Sequence, residues 1–255
     1  MFSPALRNQQ RKRAAQAIKK GGIPGVAAPM PESGPEATEY ELLLAAMGED
    51  MRRLHDIQST EGKIAAKRKM IDRYLPHVEG SLEAAAETDR AVQDEVLTTI
   101  MLWLFDIGEF DRGLDIAEHV LRYGLELPER FRRTPACLVA EEVAEAAMAA
   151  NAQGEEFDLM VLQRAEGLTN SFDMPDQARA KLHKALGQQF IRAADAAAED
   201  ESTVAGAEFH ARTLALENYR RALSLEKRIG VKKEIERLTA WVDKNRPPEQ
   251  PEAQT

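Results

Sequence analysis

Cysteine is almost absent from this sequence. Among its 255 residues, only Cys137 carries a thiol. One cysteine cannot close an intramolecular disulfide, and it cannot make a zinc site without other ligands. We therefore expect a protein of a reducing cytoplasm, in which Cys137 is a small buried apolar residue rather than a nucleophile.

Aromatic residues and long apolar runs are also scarce. Aromatics make up 5% of the chain, whereas the good helix formers Ala, Glu, Arg and Leu are abundant. No apolar run approaches the ~18 residues of a membrane-spanning helix. The basic N-terminus runs into Gly and Pro rather than into an apolar signal segment. The sequence thus predicts an all-α protein that neither enters a membrane nor is secreted.

The motifs that chemistry usually requires are missing as well. The nearest approach to a phosphate-binding loop, "EGKIA" at 61–65, lacks both the leading glycine spacing and the Ser or Thr hydroxyl. The five histidines include no HxxxH or HExxH pair that would hold a metal on one helix face. We expect no catalytic residue, no metal and no cofactor. An enzyme whose groups assemble from distant positions remains a residual alternative.

Apolar residues recur at helical spacing along most of the chain. They predict helices over 38–58 and 60–75, with Ser59 or Thr60 capping the second. From His77 to Gly108 the pattern is helical almost throughout, and the part between Leu97 and Phe105 is apolar on all sides, as in a buried helix. Further helices are predicted near 109–123, 135–152, 155–170, 175–197, 203–229 and 231–245, with Gly124 as a left-handed cap.

This pattern predicts a multi-helix body of packed hairpins with flexible N- and C-terminal tails. The hairpins at 92–124 and 207–240 resemble repeat units, but no fixed period connects them. The predicted segments are a basic flexible arm and linker (1–37), N-terminal helices (38–90), a helical core (91–245) and a disordered tail (246–255).

Positive charge is concentrated near the N-terminus, although the net charge is −9. Clustered Lys and Arg replace counterions at DNA phosphates, so these clusters favour a DNA-binding surface, with a solubilising basic tail as the alternative. The helices at 38–58 and 60–75 are compatible with a helix-turn-helix-like unit whose second helix is basic. The candidate DNA-binding residues are Arg7, Arg11, Lys12, Arg13, Lys19, Lys20, Arg52, Arg53, Lys63, Lys67, Arg68, Lys69 and Arg73.

A third basic cluster lies in the loop "PERFRRTPA". Its cations, Arg130, Arg132 and Arg133, are interrupted by Phe131. We expect them to pair with acidic helices within the subunit or between subunits, with DNA contact as the alternative.

Four blocks of sequence are notable together. They are "SPALR" near the start, "TTIMLWLFDIGEFDRGLDIAEHVLRYGLELPERFRRTPACLVAEEVAEAAM" at 98–148, "DMPDQARAKLHKALG" at 173–187 and "GVKKEIERL" at 230–238. In this order, the blocks resemble those of terminase small subunits of temperate contractile-tailed phages. The similarity is looser over 21–60. The chain also ends in an acidic, Pro-rich tail where relatives can carry Lys/Arg-rich ones.

The resemblance implies a non-catalytic subunit in the cytoplasm of a bacterial host. Such a subunit binds double-stranded viral DNA at the packaging site, assembles into a homo-oligomeric ring and recruits a large subunit that carries the ATPase and nuclease. In the family, N-terminal parts recognise DNA and C-terminal parts contact partners. The resemblance therefore implies that segment 38–90 binds DNA and that the core, 91–245, serves oligomerisation and partner contact. Lys232 and Lys233 accordingly join the arginines of the third cluster as candidate oligomer or partner contacts. A helical-repeat adaptor that binds protein segments is the alternative function.

Overall fold

The computed structural model of the chain describes residues 3–21, 24–200 and 202–246. Their secondary structure is helical apart from turns, loops and two strands of two residues each, which confirms the all-α prediction. The chain divides between Val139 and Ala140 into two compact units. The segment boundaries predicted from the sequence remain predictions.

Six α-helices form the first unit. They are α1 (Pro4–Gly21), α2 (Pro35–Asp56), α3 (Thr60–Met70), α4 (Leu75–Thr88), α5 (Glu95–Asp106) and α6 (Phe110–Tyr123), with a 3-10 turn at Ile71–Arg73. Strands β1 (Ala27–Ala28) and β2 (Ala91–Val92) pair in parallel, with Ala27 opposite Ala91. Helix α7 (Pro135–Gln153) crosses the boundary between the units, and the second unit continues with α8 (Leu159–Thr169), α9 (Asp176–Glu199), α10 (Ala207–Leu225) and α11 (Lys232–Lys244).

Helix α5 is the centre of the first unit's core, as the sequence predicted. All residues from Val96 to Phe105 are buried. The helix begins at Asp94, whose carboxylate accepts a hydrogen bond from the backbone N–H of Leu97 at 2.9 Å. Helix α6 packs closely against α5 because Gly113 faces the ring of Phe105, where an added Cβ would lie 2.5 Å from the nearest ring carbon.

Two predicted caps are present. Ser59 caps α3, since its hydroxyl accepts a hydrogen bond from the N–H of Gly62 at 3.1 Å. Gly124 ends α6 with a φ of 68°, the left-handed conformation that glycine adopts without steric cost.

The helix expected almost throughout 77–108 is interrupted. Helix α4 ends at Asp89, which has a φ of 54°, and β2 separates it from α5. Two groups of α6 fix this turn by donating hydrogen bonds to the Asp89 carboxylate: Arg122 at 2.8 Å and the Tyr123 hydroxyl at 3.1 Å. These partners are more than 30 residues away in sequence, so local helical spacing could not reveal the break.

The N-terminal arm is the main difference from the sequence prediction. Residues 4–21, expected to be flexible, form helix α1, which packs against α4. Its buried apolar side chains are Ala14, Ala17 and Ile18, and the first two are so small that they give little amphipathic signal. At Gly80 of α4 the approach is so close that an added Cβ would lie 2.8 Å from the Cα of Arg11. Small residues on both helices therefore allow α1 to pack against α4, although its basic sequence predicted a flexible arm.

A buried histidine–carboxylate pair joins α4 to α5. His77 Nε2 lies 2.7 Å from Asp94 Oδ2, and the Tyr40 ring stacks on His77 with a centroid distance of 5.8 Å. Burial alone would raise the pKa of Asp94, but the His77 ring and the hydrogen bonds that the carboxylate accepts outweigh it and lower the pKa. Nearby, burial lowers the pKa of His119 to about 4. Cys137 is buried, as expected.

In the second unit, α9 and α10 pack along their lengths. Gly187 of α9 faces the ring of Tyr219, where an added Cβ would lie 2.5 Å from a ring carbon. Leu238 and Val242 are the buried residues of α11. The guanidinium of Arg212 lies over the ring of Trp241, 4.8 Å from its centroid. No helix in the described part of the chain combines the length and apolarity needed to cross a bilayer.

Candidate DNA interface

Most of the cations on α1 are paired with acids of the neighbouring helices. Arg11 forms an ion pair with Glu83 of α4, and Lys19 lies 3.2 Å from Glu87, one turn further along α4. These tertiary contacts neutralise charge that the sequence shows as an uninterrupted basic segment.

Glu36, at the start of α2, neutralises two more α1 cations. Its side chain is 2% exposed; Oε1 lies 2.8 Å from Lys20 and 4.0 Å from Arg13. The hydrogen bond from Lys20 is the main cause that lowers the pKa of Glu36. Among the candidates on α1, only Arg7 and Lys12 form no ion pair with a residue that the structure describes.

Near the end of α2, the buried carboxylate of Asp50 contacts two of the arginines that the sequence analysis lists as DNA-binding candidates. Its side chain is 1% exposed and lies 3.2 Å from both Arg53 and Arg73. It also accepts a hydrogen bond from the Tyr74 hydroxyl at 2.8 Å. Arg73 and Tyr74 belong to the segment after α3, so this carboxylate fixes the end of that helix relative to α2. Arg52 is exposed and lies 3.8 Å from Glu49.

Helix α3 carries the second group of candidate cations. It has no buried residue, and it carries the four candidate cations at 63, 67, 68 and 69 against the single acid Glu61. Lys67 pairs with Asp106, and Arg68 donates a hydrogen bond at 3.0 Å to the carbonyl oxygen of Ile107. These two cations attach α3 to the C-terminal end of α5, where helix carbonyls carry partial negative charge. Lys63 and Lys69 form no ion pair within the described part of the chain.

The third basic cluster lies in the loop between α6 and α7. Arg130 lies 3.6 Å from Glu95 and donates a hydrogen bond to the Thr99 hydroxyl at 3.3 Å. Its guanidinium also lies over the Phe131 ring, 4.9 Å from the centroid. Arg130 thus pairs within the subunit. Arg132 is exposed, and Arg133 has a partner.

The last two candidates begin helix α11. Lys232 and Lys233 are exposed and form no ion pair with a described residue. Sequence reasoning overlooked the cations that precede them, although their local density was visible: residues 220–233 carry six cations and one acid, Glu226.

Within residues 3–21, 24–200 and 202–246, no three His, Cys, Asp or Glu side chains meet in a way that could hold a metal ion. What the cations offer is electrostatic attraction for an anion.

Comparison with known proteins shows which protein family this chain resembles. Residues 44–177 match the family model of the phage small terminase subunit. The chain is 41% identical, over 255 residues, to the "Terminase, endonuclease subunit" of Escherichia phage P2, covering 100% of this chain and 91% of that protein. It is 24% identical over 200 residues to the "Probable terminase, endonuclease subunit" of Haemophilus phage HP1 (strain HP1c1), covering 78% and 69%. No solved structure matches significantly.

The protein is therefore a component of a phage terminase. More specifically, it belongs to the phage small terminase subunit family, which confirms the resemblance found in its sequence. The small subunit is the non-catalytic component of the terminase.

Proposed function

We propose that this chain recognises double-stranded viral DNA at the packaging site, assembles as a homo-oligomeric ring in the host cytoplasm, and recruits the large terminase subunit that carries the ATPase and nuclease. Family membership supports this division of labour. The observation in the structure that carries the DNA-binding part is helix α3, which projects cations from a surface helix without a buried residue.

The cations of α3 have two different roles in this proposal. Lys67 and Arg68 hold the helix on the body of the unit, because they bind Asp106 and the carbonyl of Ile107. Lys63 and Lys69 have no acidic partner among the described residues, so no carboxylate there competes with DNA phosphates for these two lysines. We assign direct phosphate contact first to these two lysines, and to Arg7 and Lys12 of α1 on the same grounds.

The DNA-binding part is tested by the salt dependence of binding to a short packaging-site duplex. Each phosphate contact contributes about 0.9 to the slope of log K against log salt, which corresponds to about fivefold in affinity between 1 M and 0.15 M salt. Lys63→Ala/Lys69→Ala should therefore lower the slope by up to about 1.8. The matched control, Lys244→Ala/Arg246→Ala, removes two exposed cations at the other end of the chain.

The α3 double variant should weaken binding while the control double variant binds as the wild type does. An unchanged slope in the α3 variant would exclude this helix from the interface. An equal loss in both variants would show that only net charge matters. None of the four side chains is buried, although Lys63 is only partly exposed. Melting temperatures should therefore change little, and their measurement checks that the variants being compared are folded.

The ring is tested by light scattering of the purified chain. We expect a mass well above that of a dimer. A single monomeric species across micromolar concentrations would contradict the proposed assembly. Arg132, exposed in the loop before α7, is the candidate whose charge reversal should reduce the mass if this loop contacts a neighbouring subunit.

A further inference from the structure

The densest unpaired positive charge in the described chain lies in the second unit, where α10 turns into α11. We call residues 220–233 the basic elbow; they comprise the end of α10, the turn and the first two residues of α11. The elbow cations are Arg220, Arg221, Lys227, Arg228, Lys232 and Lys233.

All six side chains are exposed, and none forms an ion pair with a described residue. Arg220 donates a hydrogen bond to the Thr239 hydroxyl at 3.1 Å, which leaves its charge uncompensated. The single acid of the elbow, Glu226, turns back on the chain and accepts a hydrogen bond from the backbone N–H of Arg228 at 2.8 Å. Helix α1 differs, because four of its six cations face carboxylates.

The turn itself is fixed. Gly230 has a φ of 81°, which lets the chain reverse direction between the two helices. Lys184 of α9 donates a hydrogen bond at 3.0 Å to the carbonyl oxygen of Ile229. This bond places a seventh cation beside the elbow and ties the turn to the body of the unit. A charged surface held in this way loses little conformational entropy when it binds a ligand.

We propose that the basic elbow binds the phosphate backbone of DNA, as a contact separate from α3. This inference rests on the proposed DNA-binding function. It assigns Lys232 and Lys233 to DNA rather than to a protein partner.

The composition of the elbow favours phosphates over an acidic protein partner. Protein interfaces usually centre on buried apolar or aromatic side chains. The large apolar side chains exposed in the described chain, such as Met160 and Val204, lie outside the elbow. Phosphate contacts instead use Lys, Arg, hydroxyls and the free N–H groups of helix N-termini. Helix α11 provides the last of these, because no side chain caps its start at Val231.

The test measures binding to a mixed-sequence 30-bp duplex at several salt concentrations. The two elbow variants are Lys227→Ala/Arg228→Ala and Lys232→Ala/Lys233→Ala, and the control is Lys244→Ala/Arg246→Ala. Each elbow variant should lower the log–log salt slope by up to about 1.8 and weaken binding by up to about 30-fold at 0.15 M salt. Because phosphates carry no sequence information, the loss should be the same for packaging-site DNA.

A second readout uses the wild-type chain. Acetylation of Lys227, Lys232 and Lys233 by a soluble reagent should slow when duplex is present, whereas acetylation of Lys244 should not. Unchanged slopes together with unprotected lysines would overturn the elbow contact. If Lys63→Ala/Lys69→Ala still lowered the slope in that experiment, the proposed function would stand without the elbow.

Competition with poly-L-glutamate tests whether the elbow binds DNA phosphates or the carboxylates of an acidic protein segment. We expect it to compete poorly with duplex for the wild-type chain. If it binds as tightly as duplex and protects the same lysines, the elbow is a site for acidic protein segments and the proposal is wrong. If the wild-type chain does not retain duplex even at low salt, both the elbow contact and the proposed function fail.

Discussion

Gly80→Ala is the substitution that best tests how α1 is docked. Glycine at this position lets the backbone of α1 pass so near to α4 that an added Cβ would lie 2.8 Å from the Arg11 Cα, with the Arg11 carbonyl oxygen nearer still. Ordinary contacts begin at 3.4 Å, and the obstructing atoms are backbone. The two helices must therefore separate, and the small buried side chains of α1 lose part of their contact.

The magnitude follows from two opposing effects. An alanine inside a helix is more favourable than a glycine by about 1 kcal/mol, whereas overpacking costs about 1–3 kcal/mol. Gly48→Ala in α2 isolates the first effect, because an added Cβ there has no neighbour within 4 Å. Gly48→Ala should stabilise the chain, and Gly80→Ala should have an unfolding free energy about 1–3 kcal/mol lower than that variant.

Urea unfolding of both variants, with limited trypsin digestion, measures this difference. Trypsin should cut between Arg7 and Lys20 sooner in Gly80→Ala than in the wild type, because α1 carries the cleavage sites and is held less firmly. Equal stabilisation by the two substitutions, without faster cleavage, would refute the close packing of α1 on α4.

Three further changes test other parts of the structure. Asp50→Ala should lower the unfolding free energy by about 1.5–3 kcal/mol, because the buried Tyr74 hydroxyl loses its charged acceptor; urea unfolding with no measurable loss would contradict this role. Folding lowers the pKa of His119 from 6.5 to about 4, so the unfolded chain binds more protons between these values and the unfolding free energy falls as the pH is lowered. The wild type and the exposed control His210→Gln should each lose about 2 kcal/mol of unfolding free energy from His119 between pH 7.5 and pH 5. His119→Gln should lack that part of the loss. Equal pH dependence in all three proteins would show that burial of His119 is not responsible. Gly187→Ala should have an unfolding free energy about 1–3 kcal/mol lower than Gly167→Ala, whose added Cβ has no neighbour within 4 Å, because the Cβ at 187 would collide with a buried tyrosine ring; equal stability of these two variants would argue against that contact.

The features predicted correctly from the sequence depend on local chemistry. The continuous apolar run at α5 predicted the core, Ser59 predicted a helix start, and Gly124 predicted a helix end. Each signal lies within one or two helical turns of the structure that it specifies. The order of the family-like blocks likewise identified the family from the sequence.

The features that the sequence did not reveal depend on distant partners. Helix α1 looked like a mobile arm because its packing residues are alanines and the glycine that admits them lies in α4. The six α1 cations looked equivalent, yet Glu36, Glu83 and Glu87 neutralise four of them. The density of cations at 220–233 was visible in the sequence. Only the structure shows that these cations form no ion pair with an acidic residue in the described part of the chain. Local charge density therefore identifies candidates, and tertiary pairing decides which of them are free to bind an anion.

Recognition of packaging-site DNA is the central claim, and one measurement tests it most directly. The full chain is titrated with the packaging-site duplex of its own phage and with a shuffled duplex of equal length, at the same salt concentration near 0.15 M. We expect the packaging-site duplex to bind at least about tenfold more tightly, since a mismatch at a single recognised base pair already costs about 1–3 kcal/mol. Equal binding of the two duplexes would show that the chain binds DNA without sequence recognition, and no binding of either would contradict the claim.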